Sequence, residues 1–511
     1  MISRMGVVSA MTMVSRVFGL FRDIFITAVF GASLLNSAFT AAFTLPSLFR
    51  RLLGEGALTA ALMPNLSEEM EENGREAVFR LVNKTLSWLL VICVLITGLA
   101  YGVLFWIEES AVLENWIIGA GLAKLVFPYI VPVCLAAVVA AVLNMLGRFA
   151  IPAMTAIWLN CCMMLSLGIG TWLWVDSEVQ KMNFLCLGVL LGGLLQFMVP
   201  SLALVREGWR PRLDFSVSPR LRSVFFLTLP GIYGTASHQI NVMVSRFLAL
   251  DFNESGATLI YLANRLVELP LGVFTIAIST VIFPSMAQAI AKGKGVEFGA
   301  TYRKGVSLSM MLTLPAAVGL SMLAPEIVTV LFERGEFSAE NSSSLSPILI
   351  ICAIGMPFYA FVSIETRAFY SNKDTKTPVK GSTLALIVNI ILSISLLRLL
   401  GRIEALVIAS NTAIFVQAAY MHLRLHRLGL SLRLAEVMPS MLKYLVGCIV
   451  LAVVVGSLEL VLDDVRPSIR LAVSVPIGGT AYFVALRILK VREINAARYL
   501  FGNKGRSYRK V

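Results

Sequence analysis

The run Leu185-Cys186-Leu187-Gly188-Val189-Leu190-Leu191-Gly192-Gly193-Leu194-Leu195-Gln196-Phe197-Met198-Val199-Pro200-Ser201-Leu202-Ala203-Leu204 holds twenty residues without a single formal charge. As a helix it is about 30 Å long, which is the thickness of the hydrocarbon layer of a bilayer. Leu86–Val103, Val131–Leu146 and Tyr444–Leu458 approach the same length. The short alternating segments that build a membrane barrel are missing from the sequence. Composition agrees with the helical reading. The chain is 58% hydrophobic and 14% charged, with a mean hydropathy of +0.82. Soluble domains sit near 45–50% apolar and roughly 25% charged. The surplus exceeds what a buried core absorbs and must face lipid. The expected fold is an all-α, polytopic membrane protein.

Working outward, apolar segments and turn signals give about fourteen transmembrane helices: 5–30, 35–66, 80–106, 121–146, 150–174, 182–205, 221–250, 256–288, 303–332, 344–371, 378–400, 404–425, 437–461 and 468–489. The connections alternate in charge. One set carries Arg75 and Arg80, Arg148, Arg206 to Arg222, Lys292 to Lys304, Lys373 to Lys380, Arg424 to Lys443, and the tail from Lys490 to Lys510. The other set holds little beyond Lys181, Arg334, Arg402, Arg466 and Arg470, and includes Glu108-Glu109 and Asp463-Asp464. Cytoplasmic loops collect Lys and Arg, so both termini are expected in the cytoplasm and the number of spans is even. The same rule accounts for the net charge of +13 without a nucleic-acid partner.

Several chemistries find no support. The seven cysteines lie inside apolar runs and form no metal-ligand spacing, so neither a disulfide framework nor a metal site is indicated. No phosphate-cradling GxxxxGK[ST] run occurs, and neither a catalytic residue nor a cofactor is implied. The apolar start of the chain carries Arg16 and Arg22 and does not read as a cleavable signal.

An offset of about 220 residues relates two halves. Leu45-Pro46, Thr59 and Leu62-Met63-Pro64 correspond to Leu269-Pro270, Ser279 and Ile282-Phe283-Pro284, with hydroxyl and proline five apart in each copy. Parallel repeats of this kind build transporters whose halves rock about a central cavity. The expected organisation is two pseudo-symmetric six-helix lobes, 1–215 and 216–430, then two added helices over 431–490 and a basic cytoplasmic tail, 491–511.

The informative residues are charges at bilayer depth, each costing at least about 2.5–3.5 kcal/mol to insert. Arg16 falls about ten residues into the first span, roughly 15 Å along it. Arg22 and Asp23 follow, then Arg50 and Arg51 after Pro46, and Arg265 with Glu268 one turn before Pro270. Arg51 reads equally as a snorkelling side chain, and for Arg265 the lesser alternative is a structural pair with Glu268. Arg16, Arg22 and Arg50 outnumber the nearby acids, Asp23 and Glu55. Such a surplus calls for an anion, and the guanidinium fork suits phosphate oxygens. His238 is assigned to packing or cavity lining, and Glu365 with Arg367 to a local pair.

These residues carry a resemblance. Ser15-Arg16-Val17-Phe18-Gly19-Leu20-Phe21-Arg22-Asp23 with Phe30-Gly31-Ala32, Phe43-Thr44-Leu45-Pro46-Ser47-Leu48-Phe49-Arg50-Arg51 with Gly54-Glu55-Gly56-Ala57, and Tyr261-Leu262-Ala263-Asn264-Arg265-Leu266-Val267-Glu268-Leu269-Pro270 resemble three helices of the MurJ/MviN lipid II flippases, members of the MOP exporter superfamily. Leu331-Phe332-Glu333-Arg334-Gly335-Glu336-Phe337 and Asp374-Thr375-Lys376-Thr377-Pro378-Val379-Lys380 resemble two of its loops. The resemblance implies export of undecaprenyl-pyrophosphoryl disaccharide-pentapeptide across the bacterial inner membrane for peptidoglycan synthesis. It implies headgroup contact by Arg16, Arg22, Arg50 and Arg265, with Asp23, Arg51, Glu55, Asn264 and Glu268 as supporting polar groups. It also implies a lipid-tail groove on the last two helices. The partners implied are lipid II, bilayer lipids, and the machinery of cell-wall synthesis or division.

The chain departs from the family at several points. Ser37 stands where Asp is common, Asn264 where Asp precedes the arginine, and Ser245 and Ser393 where some members carry acids, while Asn389 is retained. These changes argue against sodium coupling and leave membrane potential, worth about 2.3 kcal/mol per charge per 100 mV, as the energy source. Three rival readings stand beside this one: a related flippase for another polyprenyl-linked oligosaccharide, a cation-coupled exporter of small molecules, and an enzyme of lipid-linked sugar synthesis. The last two call for acid-rich cavities or loops.

Overall fold

Where each helix stops is set by residues that cannot continue it. In the computed structural model α1 (Ile2–Phe30) ends at Gly31, whose φ of 59° suits a residue without a side chain, and Ser33 opens α2 (Leu34–Phe49) by accepting the amide of Asn36. Pro46 interrupts α2, and the chain then widens into a π-helical turn, Arg50–Gly56, before α3 (Ala57–Ser110). An unbroken α3 of 54 residues would run about 80 Å, far more than a bilayer. Gly74, at φ 75° and ψ −174°, breaks it between the predicted spans 35–66 and 80–106.

The remaining helices are α4 (Glu114–Val126), α5 (Ile130–Met145), α6 (Ala150–Leu173), α7 (Glu178–Arg206), α8 (Pro219–Phe252), α9 (Gly256–Ala291), α10 (Gly295–Met322), α11 (Ala324–Phe332), α12 (Ala339–Ser371), α13 (Lys376–Leu400), α14 (Glu404–Arg427), α15 (Leu434–Val461) and α16 (Pro467–Ile488). The predicted span 303–332 is divided at Leu323 into α10 and the short α11. The structure describes residues 2–173, 176–430, 434–491 and 493–494, without the side chains of 2–10, 12, 54–57, 230, 233–235, 273–277, 279–281 and 434–435. The predicted supporting residue Glu55, the repeat position Ser279 and almost all of the basic tail lie outside that description. Among the described residues there is no strand, and ten helical stretches are long and apolar enough to cross a membrane. The protein is an all-helical, multi-pass membrane protein.

The helices gather into two compact units, Met1–Tyr261 with Arg334–Ser338, and Leu262–Glu333 with Ala339–Val511. Inside the first, α6 and α7 pack through small residues. A Cβ on Gly188 would stand 2.8 Å from the carbonyl oxygen of Cys162, and one on Gly192 2.8 Å from the Cα of Leu159. Small residues allow this approach where lipid offers no hydrophobic drive for helices to associate. Helix α8 lies against α2 and α3, and the segment leading into it is sewn to α3. Trp209 Nε1 donates to Asn83 Oδ1 at 2.8 Å, and the amide of Asp214 donates to Ser87 Oγ at 2.8 Å. Packing thus places α8 in the first unit, beyond residue 215, because this seam anchors its start.

The second unit is centred on α10, with α12 and α15 against it. Phe298, Tyr302, Phe369, Tyr444 and Tyr482 are fully buried there. The added helices α15 and α16 are fastened to α10 by polar contacts, Tyr444 OH with Ser307 Oγ at 2.6 Å and Tyr482 OH donating to the carbonyl of Met311 at 2.8 Å.

Candidate functional site

Of the predicted arginines, Arg22 is the most deeply placed. It is 8% exposed and its neighbour Asp23 3%. Adjacent helical residues do not normally face each other, but the long arginine stem folds round so that Nη2 reaches Asp23 Oδ1 at 2.5 Å and Nε reaches it at 3.0 Å. The rest of the fork is also occupied. Nη1 donates to Asn160 Oδ1 on α6 at 3.0 Å, and Nη2 to Tyr261 OH on α9 at 2.8 Å. Tyr261 in turn donates to Asp23 Oδ1 at 3.0 Å, which closes the ring. The expectation that positive charge outnumbers acid survives as a count over α1, α2 and the π-helical turn. It does not describe Arg22, which already has a carboxylate.

Sequence reasoning passed over Arg246. Its guanidinium carbon sits 5.0 Å from the centroid of the Tyr261 ring, and Nη1 donates to Thr44 Oγ1 on α2 at 2.6 Å. Two guanidinium groups therefore converge on one tyrosine, one at its hydroxyl and one at its ring face, where a cation is attracted to the π electrons. A signal was present: His238, Asn241 and Ser245 recur at three- and four-residue spacing just before Arg246 in the predicted span 221–250, a polar stripe on a helix otherwise suited to lipid.

Arg50 and Arg51 occupy the π-helical turn, and both are half-buried. Such widened turns are frequent at functional sites. Arg51 Nη1 donates to Gln239 Oε1 on α8 at 3.3 Å. Arg16 is half-buried on α1. An apolar cavity of about 530 Å³, lined by Leu45, Phe49, Leu99, Val103 and Phe247 among others, lies between α2, α3, α4 and α8. It is built for hydrocarbon and holds none of the predicted arginines.

In the second unit Arg265 and Glu268 approach to 3.8 Å at i,i+3, so the structural pairing anticipated for them is present, although at a loose distance. Asn264, one residue before, is exposed and accepts the thiol of Cys352 at 4.0 Å. Glu365 and Arg367 form no pair. Two residues apart on a helix they point to opposite sides, and Glu365 instead faces His422 Nδ1 at 3.8 Å.

The departures from the family pattern are all neutral. Ser37 donates to Thr258 Oγ1 at 3.1 Å. Asn389 Oδ1 accepts Ser393 Oγ at 3.4 Å and Ser410 Oγ at 3.2 Å, with Asn389 and Ser393 fully buried. Among the described residues no cluster of His, Cys, Asp or Glu could hold a metal ion. Outside the spans, ion pairs brace the first unit. Arg220 meets Glu68 at 2.7 Å and Glu69 at 2.5 Å, and Glu207 meets Arg75 at 2.7 Å and Arg148 at 2.8 Å. The hydrogen bonds from Arg75 and then Arg148 hold the Glu207 carboxyl below its ordinary range.

The family described as lipid II flippase MurJ matches residues 26–502. A protein of Vibrio cholerae serotype O1 named "Probable lipid II flippase MurJ" is 31% identical over 438 residues, covering 83% of this chain and 82% of its own length. A protein of the same name from Bdellovibrio bacteriovorus is 28% identical over 499 residues, covering 95% and 94%. The chain is similar in fold to a lipid II flippase MurJ solved in an inward closed conformation, with a TM-score of 0.78, 23% identity and coverage of 94% and 98%. It is also similar to an inward-facing multidrug resistance MATE family transporter of the MOP superfamily, with a TM-score of 0.66, 15% identity and coverage of 83% and 98%.

Proposed function

The chain belongs to the lipid II flippase MurJ family, and on that premise we propose that it moves lipid II from the cytoplasmic to the periplasmic leaflet of the bacterial inner membrane for peptidoglycan synthesis. It is a transporter, with both termini in the cytoplasm and fourteen crossings. The pseudo-symmetric lobes, 1–215 and 216–430, alternate access about a cavity, while 431–490 offers a groove for the lipid tail and 491–511 forms a cytoplasmic tail. The enzymes of wall synthesis and division are its neighbours in this reading.

The observation that carries the proposal is the convergence of Arg22 and Arg246 on Tyr261 within apolar helices. Charge at that depth is costly and marks a substrate pathway. A pyrophosphate offers several anionic oxygens to guanidinium forks. Arg16, Arg22, Arg50 and Arg265 are assigned to the headgroup, with Asp23, Arg51, Glu55, Asn264 and Glu268 in support. Asp23 has a clear task here: it competes with the incoming phosphate for Arg22, so the cargo is held but can leave. A carrier that bound its passenger without a competitor would stall.

The deciding experiment is a headgroup-accessibility assay in proteoliposomes that compares lipid II with another polyprenyl-linked glycan. Preferential movement of lipid II is expected. Equal or faster movement of the other glycan overturns the cargo assignment.

A further inference from the structure

One buried acid has no part in the site above. Glu365 lies in α12 six residues before its end and has no exposed surface. Both its carboxyl oxygens lack a hydrogen-bond partner among the described residues, and so do Nδ1 of His422 and the hydroxyl of Tyr302. These groups share one location. His422 on α14 brings Nδ1 to 3.8 Å from Glu365 Oε1, and Tyr302 on α10 faces the same carboxyl. Buried polar atoms are almost always paired, so four without partners in one place mark a position whose protons are not fixed by the fold.

The surroundings supply no other compensation. Arg367 points away on α12, and Lys376 and Lys380 of α13 are exposed. Glu326 of α11 is engaged by Arg470 at 3.2 Å. His426 lies one turn beyond His422 on α14. A carboxylate with no cation beside it and only the Tyr302 hydroxyl facing it is poorly tolerated in such a place, whereas a neutral acid beside a neutral imidazole fits it.

We propose that Glu365 and His422 form a proton-binding site in the second unit, through which proton movement is coupled to transport. In this proposal the resting proton is on the carboxyl, since 3.8 Å is too long for a hydrogen bond to His422. When α12 and α14 close by about 1 Å, the proton passes from Oε1 to the lone pair of Nδ1. The products are a carboxylate and an imidazolium in a charge-assisted contact of about 2.7–2.9 Å. His422, whose side chain keeps 19% exposure against 0% for Glu365, is the member that exchanges protons with water. The site rests on the transport reading and gives it a coupling ion that the neutral Asn389 cluster does not give to sodium.

The test uses the full chain in vesicles of phosphatidylethanolamine and phosphatidylglycerol. Infrared spectra across pH should show a protonated carboxyl band that is absent in Glu365→Gln and titrates at a different pH in His422→Gln. With the membrane potential clamped, a gradient of about one pH unit, tenfold in proton activity, should change the rate of lipid II movement by the wild type. Glu365→Gln should keep its gradient-free rate and lose the response. Identical carboxyl spectra in wild type and Glu365→Gln, or an unchanged response to the gradient in that variant, overturn the proposal. If lipid II moves in no variant, wild type included, the transport reading fails while the infrared band still decides the proton site.

Discussion

Replacing Arg22 separates two roles that the structure lays on one side chain. Its guanidinium is buried, bonded to Asp23 at 2.5 Å, and shared with Asn160 and Tyr261. Arg22→Ala therefore strands the Asp23 carboxylate at 3% exposure with Tyr261 as its remaining donor among these partners. Deleting one member of a buried ion pair costs about 3–5 kcal/mol, a shift of more than about a hundredfold in the folding equilibrium. Arg22→Met combined with Asp23→Asn removes both charges at similar bulk, and such replacements are often near neutral for stability. Thermal unfolding of the purified protein, read beside headgroup accessibility of lipid II, distinguishes the roles. The single variant should lose stability and transport. The double variant should recover most of the stability and none of the transport. Wild-type movement of lipid II by the double variant would refute the headgroup role of Arg22, and wild-type stability in the single variant would refute the energetic argument.

Three more outcomes follow from particular contacts. Gly188→Ala places a Cβ 2.8 Å from the carbonyl oxygen of Cys162 and should cost about 1–3 kcal/mol by forcing α6 from α7, whereas Gly98→Ala, with nothing within 4 Å, should not lower the unfolding midpoint, since alanine is the better helix former. Glu207→Gln should lower the midpoint at neutral pH. Because the Glu207 carboxyl is held below its ordinary range by Arg75 and Arg148, its contribution is present above about pH 4.3, the unfolded value. It is lost as pH falls through the lower folded value, so the two midpoint curves should converge in acid. Withdrawal of sodium should leave lipid II movement intact, given the neutral set Asn389, Ser393 and Ser410; a strict sodium requirement measured in proteoliposomes would contradict that.

Helices were readable from the chain because lipid imposes a minimum apolar length, and runs such as Leu185–Leu204 meet it without help from tertiary context. Breaks were readable where a glycine or proline stood between runs. The division at Leu323 carried the same kind of signal, Pro325 with Glu326 at the start of α11, but the span 303–332 was drawn through it because both flanks are apolar. Depth along the spans singled out Arg16, Arg22, Arg50 and Arg265 but passed over Arg246. Their partners could not be read that way. Asn160 and Tyr261 lie 138 and 239 residues from Arg22, and no local spacing reports such neighbours. The same limit misassigned Glu365. Its sequence neighbour Arg367 suggested a pair, while the group that faces it, His422, arrives from another helix.

The seven-residue π-helical turn Arg50–Gly56 holds more chain per turn than an α-helix would use. Surrendering one residue to ordinary helical pitch would advance one flank by about 1.5 Å and swing it by about a third of a revolution. Arg50 and Arg51 sit on the part that would swing. A change of register of that size would turn two cationic side chains to a new bearing while the span that carries them stayed helical.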